Sequence, residues 1–120
     1  LEIHPDHRNT ALLVWEALQR VKEPNFYPEP ISYEISVQSP VNMLIDISDQ
    51  IKIKQIAMNL YASQNTQNNY PELVLALDKG RTFSLPTEIK FAEGFFRYQI
   101  KDLDLSFDEM THSVIDLYQN

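Results

Sequence analysis

Cysteine is absent from all 120 residues. Disulfides, thiolate nucleophiles and thiolate-held metals are therefore excluded within the chain, and any transition metal has only imidazole and carboxylate to bind it. The same absence is compatible with a cytoplasmic origin, which is the expectation. Basic residues are also few: 10 Lys and Arg stand against 17 Asp and Glu, for a formal net charge of −7. No basic run offsets that field, so nucleic acid is a poor candidate partner. No apolar run approaches the roughly 20 residues of a membrane helix, so no membrane span is expected. No secretory signal pattern is read from Leu1 onward, and neither an internal repeat nor a low-complexity tract is visible.

What is present describes one domain with a modest core: 43% of residues are hydrophobic and 22% charged, and a chain of this length buries ~65% of its unfolded surface. Apolar residues at Ala11, Val14, Trp15, Leu18 and Val21 follow helical spacing, with Glu16, Gln19 and Arg20 on the other side, predicting a helix from Pro5 to Lys22. "EPNFYPEP" stops it, since Pro24, Pro28 and Pro30 forbid a regular helix. "ISYEISV" alternates Ile31, Tyr33, Ile35 and Val37 with polar residues, the period of a half-buried strand. "VNMLIDI" follows as a second strand, more nearly buried on both faces.

Ser48 and Asp49 are the expected caps of a helix whose apolar stripe is Ile53, Ile56, Ala57, Leu60 and Tyr61. A polar break, "SQNTQNN", ends it. Pro71, Leu73, Val74, Leu77 and Lys79-Gly80 outline a shorter helix. "KFAEGFFRYQI" is the final expected strand, with Gly94 as a candidate bulge. Ser106 and Glu109 form a capping box, Leu105 and Met110 its hydrophobic staple, and Met110, Val114 and Leu117 continue a last helix. The fold class is thus α/β with about four helices and three strands, beginning on a helix that no strand precedes.

Chemistry concentrates in "HPDHR". His4 precedes a proline and belongs to the approach loop; Pro5 takes the first helical position, and His7 falls in the first turn. Both imidazoles border a helix N-terminus, whose positive potential suits neutral, metal-ligating imidazole. Asp6 is placed to fix a histidine tautomer and stabilise its protonated form. The plainer alternative is a polar lead-in to an ordinary helix, because His-x-x-His is short and helix starts favour polar residues. A catalytic zinc takes three protein ligands plus water, and beyond this corner the chain offers only His112 and scattered carboxylates.

"HPDHR" leading into a helix resembles the second signature of the PIG-L / LmbE-like zinc-dependent N-deacetylases. "NMLIDIS", "KIKQIAMNLYASQ" and "AEGFFRY" resemble later segments of that family in the same order, so the likeness spans roughly residues 3 to 98. It implies a Rossmann-like three-layer fold, Zn2+ as cofactor and an N-acetylglucosamine-type sugar or glycoconjugate as substrate. It also implies roles: His7 as a zinc ligand, His4 as the histidine that stabilises the oxyanion and assists amine departure, and Asp6 as its orienting carboxylate. Ser63, Gln64 and Glu93 match recurrent family positions without a catalytic role, and hydrogen bonding at helix ends and sheet edges explains them equally well.

The family's first signature, an Ala-His-Pro-Asp-Asp-Glu type stretch, is not found in this chain. Residues 1–100 are accordingly expected to be the C-terminal portion of such a domain, with an N-terminal half as partner and 101–120 as a helical extension; homo-oligomerisation stays open. On this expectation the chain alone is inactive. The alternative is a non-catalytic interaction module, with "ISYEISV" and the C-terminal helix as partner surfaces. Asp102, Asp104, Asp108, Glu109 and Asp116 are expected on a solvated face, and Phe91, Phe95, Phe96 and Tyr98 in the core or on the sheet surface.

Overall fold

Pro5 opens the first helix as its fixed φ favours, and α1 runs Pro5–Val21. The computed structural model describes residues 4–21, 23, 28–35 and 38–116, with side chains through Ser113. Lys22, Pro24, Val37 and Leu117, named above, lie outside the described residues, as do the side chains of Val114 and Asp116. After α1 come β1 (Ile31–Tyr33), β2 (Met43–Asp46), α2 (Ile51–Asn59), α3 (Ala62–Asn65), α4 (Tyr70–Gly80), β3 (Ala92–Arg97), a 3₁₀ helix (Ile100–Asp104) and α5 (Phe107–Asp116). The class is mixed α/β. No helix of the described residues is long and apolar enough to cross a membrane.

The three strands form one antiparallel sheet in the order β1-β3-β2. β3 lies in the middle, with Ile31 opposite Arg97 on one side and Met43 opposite Phe95 on the other. Side chains alternate along a strand, so Ala92, Gly94 and Phe96 share one face while Glu93, Phe95 and Arg97 share the other. Gly94 pairs with Leu44 in unbroken register, which corrects the expected bulge: the glycine answers a close approach of side chains, described below. β2 is half-buried at Met43 and Leu44 and exposed at Ile45 and Asp46, less enclosed than its apolar sequence suggests. Its Ile45, with Ile31 and Tyr33 of β1, stands exposed on the Glu93 side of the sheet.

The core lies on the Phe96 side. Trp15, Leu103 and Met110 form its buried centre, with Leu18, Phe96, Tyr98 and Phe107 packed around them. Trp15 meets Tyr98 and Phe107 edge-on, at ring-centroid distances of 5.1 and 6.4 Å, an arrangement that sets ring edges against π faces. Its indole N–H donates to the Leu105 carbonyl at 3.0 Å. Gln19, expected on the solvent side, instead donates to the Leu103 and Leu105 carbonyls at 3.0 and 2.8 Å. The segment after residue 100 is thereby fastened to α1, and burial of Leu103 and Met110 contributes roughly 2 kcal/mol per side chain.

Two helix starts differ from expectation. Ser48 does not cap α2, whose N-cap is Gln50 without a side-chain cap bond. Its hydroxyl donates to Asp46 at 2.6 Å and accepts the Lys90 N–H at 2.8 Å, tying the turn to the approach of β3. The Ser48 hydroxyl, then the Ser48 N–H that donates to Asp46 at 2.9 Å, hold the Asp46 carboxyl below its usual range. The apolar stripe of α2 is largely exposed, at Ile53, Ile56 and Leu60, as is Tyr61 beyond it. A second capping box, unforeseen, links Gln99 and Asp102 at the 3₁₀ helix, so Asp102 is a capping residue and not merely a solvated charge.

The Ser106–Glu109 box forms as expected: Ser106 donates through its N–H and hydroxyl to the Glu109 carboxylate at 2.8 and 2.7 Å. The Ser106 hydroxyl, then its N–H, hold the Glu109 carboxyl below its usual range. The folded state favours the ionised form, so this contribution is present above the unfolded pKa and lost as pH falls through the folded one. Ser106→Ala should lower Tm by about 3 °C near neutral pH, with the difference shrinking in acid. Thermal melts of both proteins across the carboxylate range check it.

Candidate functional site

His4 stands immediately before α1 and acts as its cap. Its Nδ1 accepts the Asp6 backbone N–H at 3.2 Å, while its carbonyl accepts the Arg8 N–H at 3.3 Å. An accepting Nδ1 places the proton of a neutral ring on Nε2. The Asp6 carboxylate lies 3.9 Å from the same Nδ1, so the two become an ion pair only when the ring is protonated. Both side chains are exposed. His7, one turn into the helix, sits beneath His4 with ring centroids 4.9 Å apart and planes tilted by 36°. The i, i+3 spacing across the start of the helix brings the two rings together. The three residues singled out by sequence are therefore together.

The other three are not with them. Ser63 and Gln64 lie exposed on α3, which packs against α4, whereas α1 packs against the 3₁₀ helix and α5. α2 ends before them, so the Ser-Gln pair belongs to a separate short helix and not to the end of the long one. Glu93 belongs to a structural cluster: Lys54 donates to Asp78 and to Glu93, each at 2.6 Å. His112 is exposed, its ring nitrogen 2.7 Å from the Asp108 carbonyl. Among the described residues no group of three or more His, Asp or Glu side chains gathers as a metal centre. With one imidazole as the implied ligand, the donors present do not by themselves fit a catalytic zinc, which needs three protein ligands.

The Lys54 cluster carries one cation for two carboxylates. Burial opposes the Lys54 charge, yet its hydrogen bonds to Asp78 and Glu93 outweigh burial and hold the ammonium above its usual range. For Asp78 the balance is reversed: burial pushes its carboxyl up further than Lys54 pulls it down, with Glu93 and Glu34 adding to the rise. The two directions agree once the surplus negative charge is counted. The lysine is favoured as a cation, and the more buried acid bears the cost.

His7 borders a cleft of about 540 Å³ between α1, the sheet and α5. Its walls are mostly apolar, with Val14, Trp15, Leu18, Phe96, Phe107 and Met110 prominent. Glu34 and Gly94 also line it. Arg81 binds both Glu34 carboxylate oxygens, through Nε at 2.9 Å and through Nη2. The Ser39 N–H adds a bond of 2.6 Å to Glu34, and Arg81 donates to the Ser39 carbonyl at 2.7 Å. The pair is well enclosed, with side chains 10% and 18% exposed. Sequence reasoning missed it because Glu34 occupies a polar position of an alternating strand, where a solvated side chain is the default, and Arg81 is distant in the chain.

Against this geometry, no family model matches the chain, and no solved structure matches it.

Proposed function

We propose that the chain is part of a zinc-dependent N-deacetylase of the PIG-L / LmbE-like kind, acting on an N-acetylated amino sugar, with His4, Asp6 and His7 as its contribution to the site. The observation that carries the reading is the close His4–His7 pair beside Asp6, with His7 at the rim of a cleft. Zinc chemistry in such a site, polarisation of an acetamide carbonyl and acidification of a water, requires ligands beyond those of this chain, and His7 is the one it offers. His4 has a definable task. In its protonated form it loses the capping bond to the Asp6 N–H, gains the Asp6 carboxylate as counter-ion, and presents an N–H to a developing oxyanion or a departing amine. The exposed Ile45 and Tyr33 on the sheet, Ile56 on α2 and Leu60 at its C-cap support a further layer of the same domain packing there.

The test joins this chain to whatever coding sequence precedes it and measures bound zinc and acetate release from N-acetylglucosamine conjugates. Stoichiometric zinc and acetate release are expected, with His7→Ala losing both. An extended protein that takes up no zinc overturns the reading.

The same exposed apolar residues favour a second reading, a non-catalytic module that binds a protein partner. β1 is an edge strand, as that reading requires, but α5 turns Met110 into the core and so offers less than its amphipathic sequence suggests. Partner binding that survives His7→Ala in a zinc-free protein distinguishes it.

A further inference from the structure

The cleft beside His7 has a lining more selective than its size. Glu34 is the one Asp or Glu side chain among its described lining residues, and Arg81 and the Ser39 N–H neutralise it from within. Among the described lining residues no uncompensated acid or base other than imidazole faces the space, so a charged ligand gains nothing from them and loses its hydration. The walls supply ring faces and edges: Trp15, Phe96, Tyr98 and Phe107 all line the cleft and touch one another through tilted or edge-on contacts. Thr10, Ser39 and Thr111 also line the cleft, the Thr111 hydroxyl being spent on the Phe107 carbonyl, and two polar groups meet within it, the Ser32 and Tyr98 hydroxyls 3.2 Å apart. A single proton suffices for the bond between them, so the pair keeps a second O–H to donate. Apolar walls with a few convergent polar groups, in a volume of several hundred Å³, are the usual form of a small-molecule site.

We propose that this cleft is an aglycone subsite, taking an uncharged aromatic group attached to the sugar whose N-acetyl group lies at the histidine corner. The proposal rests on the deacetylase reading for the sugar, while the preference for a neutral aromatic rests on the cleft alone. An aromatic ring entering from the His7 side meets Trp15 and Phe96, and an ether or ester oxygen next to it accepts from the Ser32–Tyr98 pair. A polyol or a carboxylate in the same place would bury more polar groups than these few hydroxyls can partner.

Trp15 is the only tryptophan of the chain and lines the cleft, so its fluorescence reports occupancy directly. The probes are phenyl and methyl N-acetyl-β-glucosaminide, titrated into the chain in the presence of a chelator. The phenyl compound is expected to bind about tenfold more tightly, a difference of ~1.4 kcal/mol. Ala11→Phe, at an exposed position of α1 that borders the cleft, fills the space without removing a packing contact and should abolish the preference with an unchanged far-UV spectrum. Equal affinities for the two glycosides, or a phenyl preference that persists in a folded Ala11→Phe variant, overturn the proposal. Because the titration needs neither zinc nor turnover, it is separable from the reading it deepens. A phenyl preference in a protein that never binds zinc upholds the cleft and sinks the deacetylase, and zinc uptake with equal glycoside affinities does the reverse.

Discussion

Gly94→Ala should destabilise the fold by about 3 kcal/mol, in the range found when a buried ion pair is broken from one side. A Cβ at that position would lie 2.5 Å from the Glu34 carboxylate, 2.9 Å from Val41 Cγ1 and 3.1 Å from Arg81 Nε. A carboxylate at the end of a free side chain would swing aside cheaply, but this one is held by Arg81 and by the Ser39 N–H, and Val41 blocks a second direction. Something must move, and the available movements either separate the pair or widen the spacing between strand and loop. The sign of the effect is diagnostic. Gly94 has no positive φ, so with room for the methyl group alanine would stabilise by up to about 1 kcal/mol through the unfolded state. Urea denaturation of the two proteins decides: a midpoint that rises or stays put means that the Glu34–Arg81 pair yields easily and does not hold the loop to the sheet.

Lys54→Met should cost a similar amount, about 3 kcal/mol, by a different route. The substitution keeps the length of the side chain but leaves Asp78, 8% exposed, and Glu93, 34% exposed, facing each other without a cation. Glu93 can hydrate; Asp78 is buried and must either stay charged at high cost or take up a proton. With its folded pKa raised above the unfolded one, Asp78 favours the fold below the unfolded pKa and disfavours it as pH rises through the folded value. The deficit of Lys54→Met should therefore be largest near neutrality and shrink towards about pH 4. Adding Asp78→Leu should recover most of the loss, since an apolar pair of similar volume often replaces a buried ion pair without penalty. A double-mutant cycle run at both pH values checks the coupling. Additive losses would mean that Lys54 and Asp78 do not act as a unit.

Local features were the legible ones. The start of α1 follows from proline at the first helical position and histidine before it. α4 follows from Pro71 and its apolar face. The Ser106–Glu109 box follows from a four-residue pattern whose partners lie within one turn. The nearness of His4 and His7 is of the same kind, because a three-residue spacing across a helix start brings two rings together without help from the rest of the chain. Ser48 misled because its hydroxyl has a competing partner, Lys90, across 42 residues. Gly94 misled for the same reason: a bulge is a local explanation, and the true one involves Glu34 and Arg81, which the sequence places far from it and from each other. The exposed stripe of α2 shows the limit of periodicity, which identifies an apolar face but not what lies against it. The Glu34–Arg81 pair and the bonds of Lys54 to Asp78 and Glu93 were not legible, although Glu93 itself was singled out, because they join residues brought together only by the finished fold.

That sheet has an order of assembly written into its topology. β1 and β2 pair with β3 and not with each other, so no ladder bond of this sheet can form until synthesis has passed Ala92, the first residue of β3. During synthesis both earlier strands leave the ribosome without a template, and their apolar residues wait in contact with solvent or chaperone. Pairings this distant in sequence close slowly, and unpaired strands in that interval are open to association with other chains. The helices can nucleate as they emerge, but the strand they must be held against is delivered last. Chains released before residue 92 should therefore contain helix and none of this sheet, and the yield of folded protein should depend more on how fast β3 follows than on the intrinsic stability of anything before it.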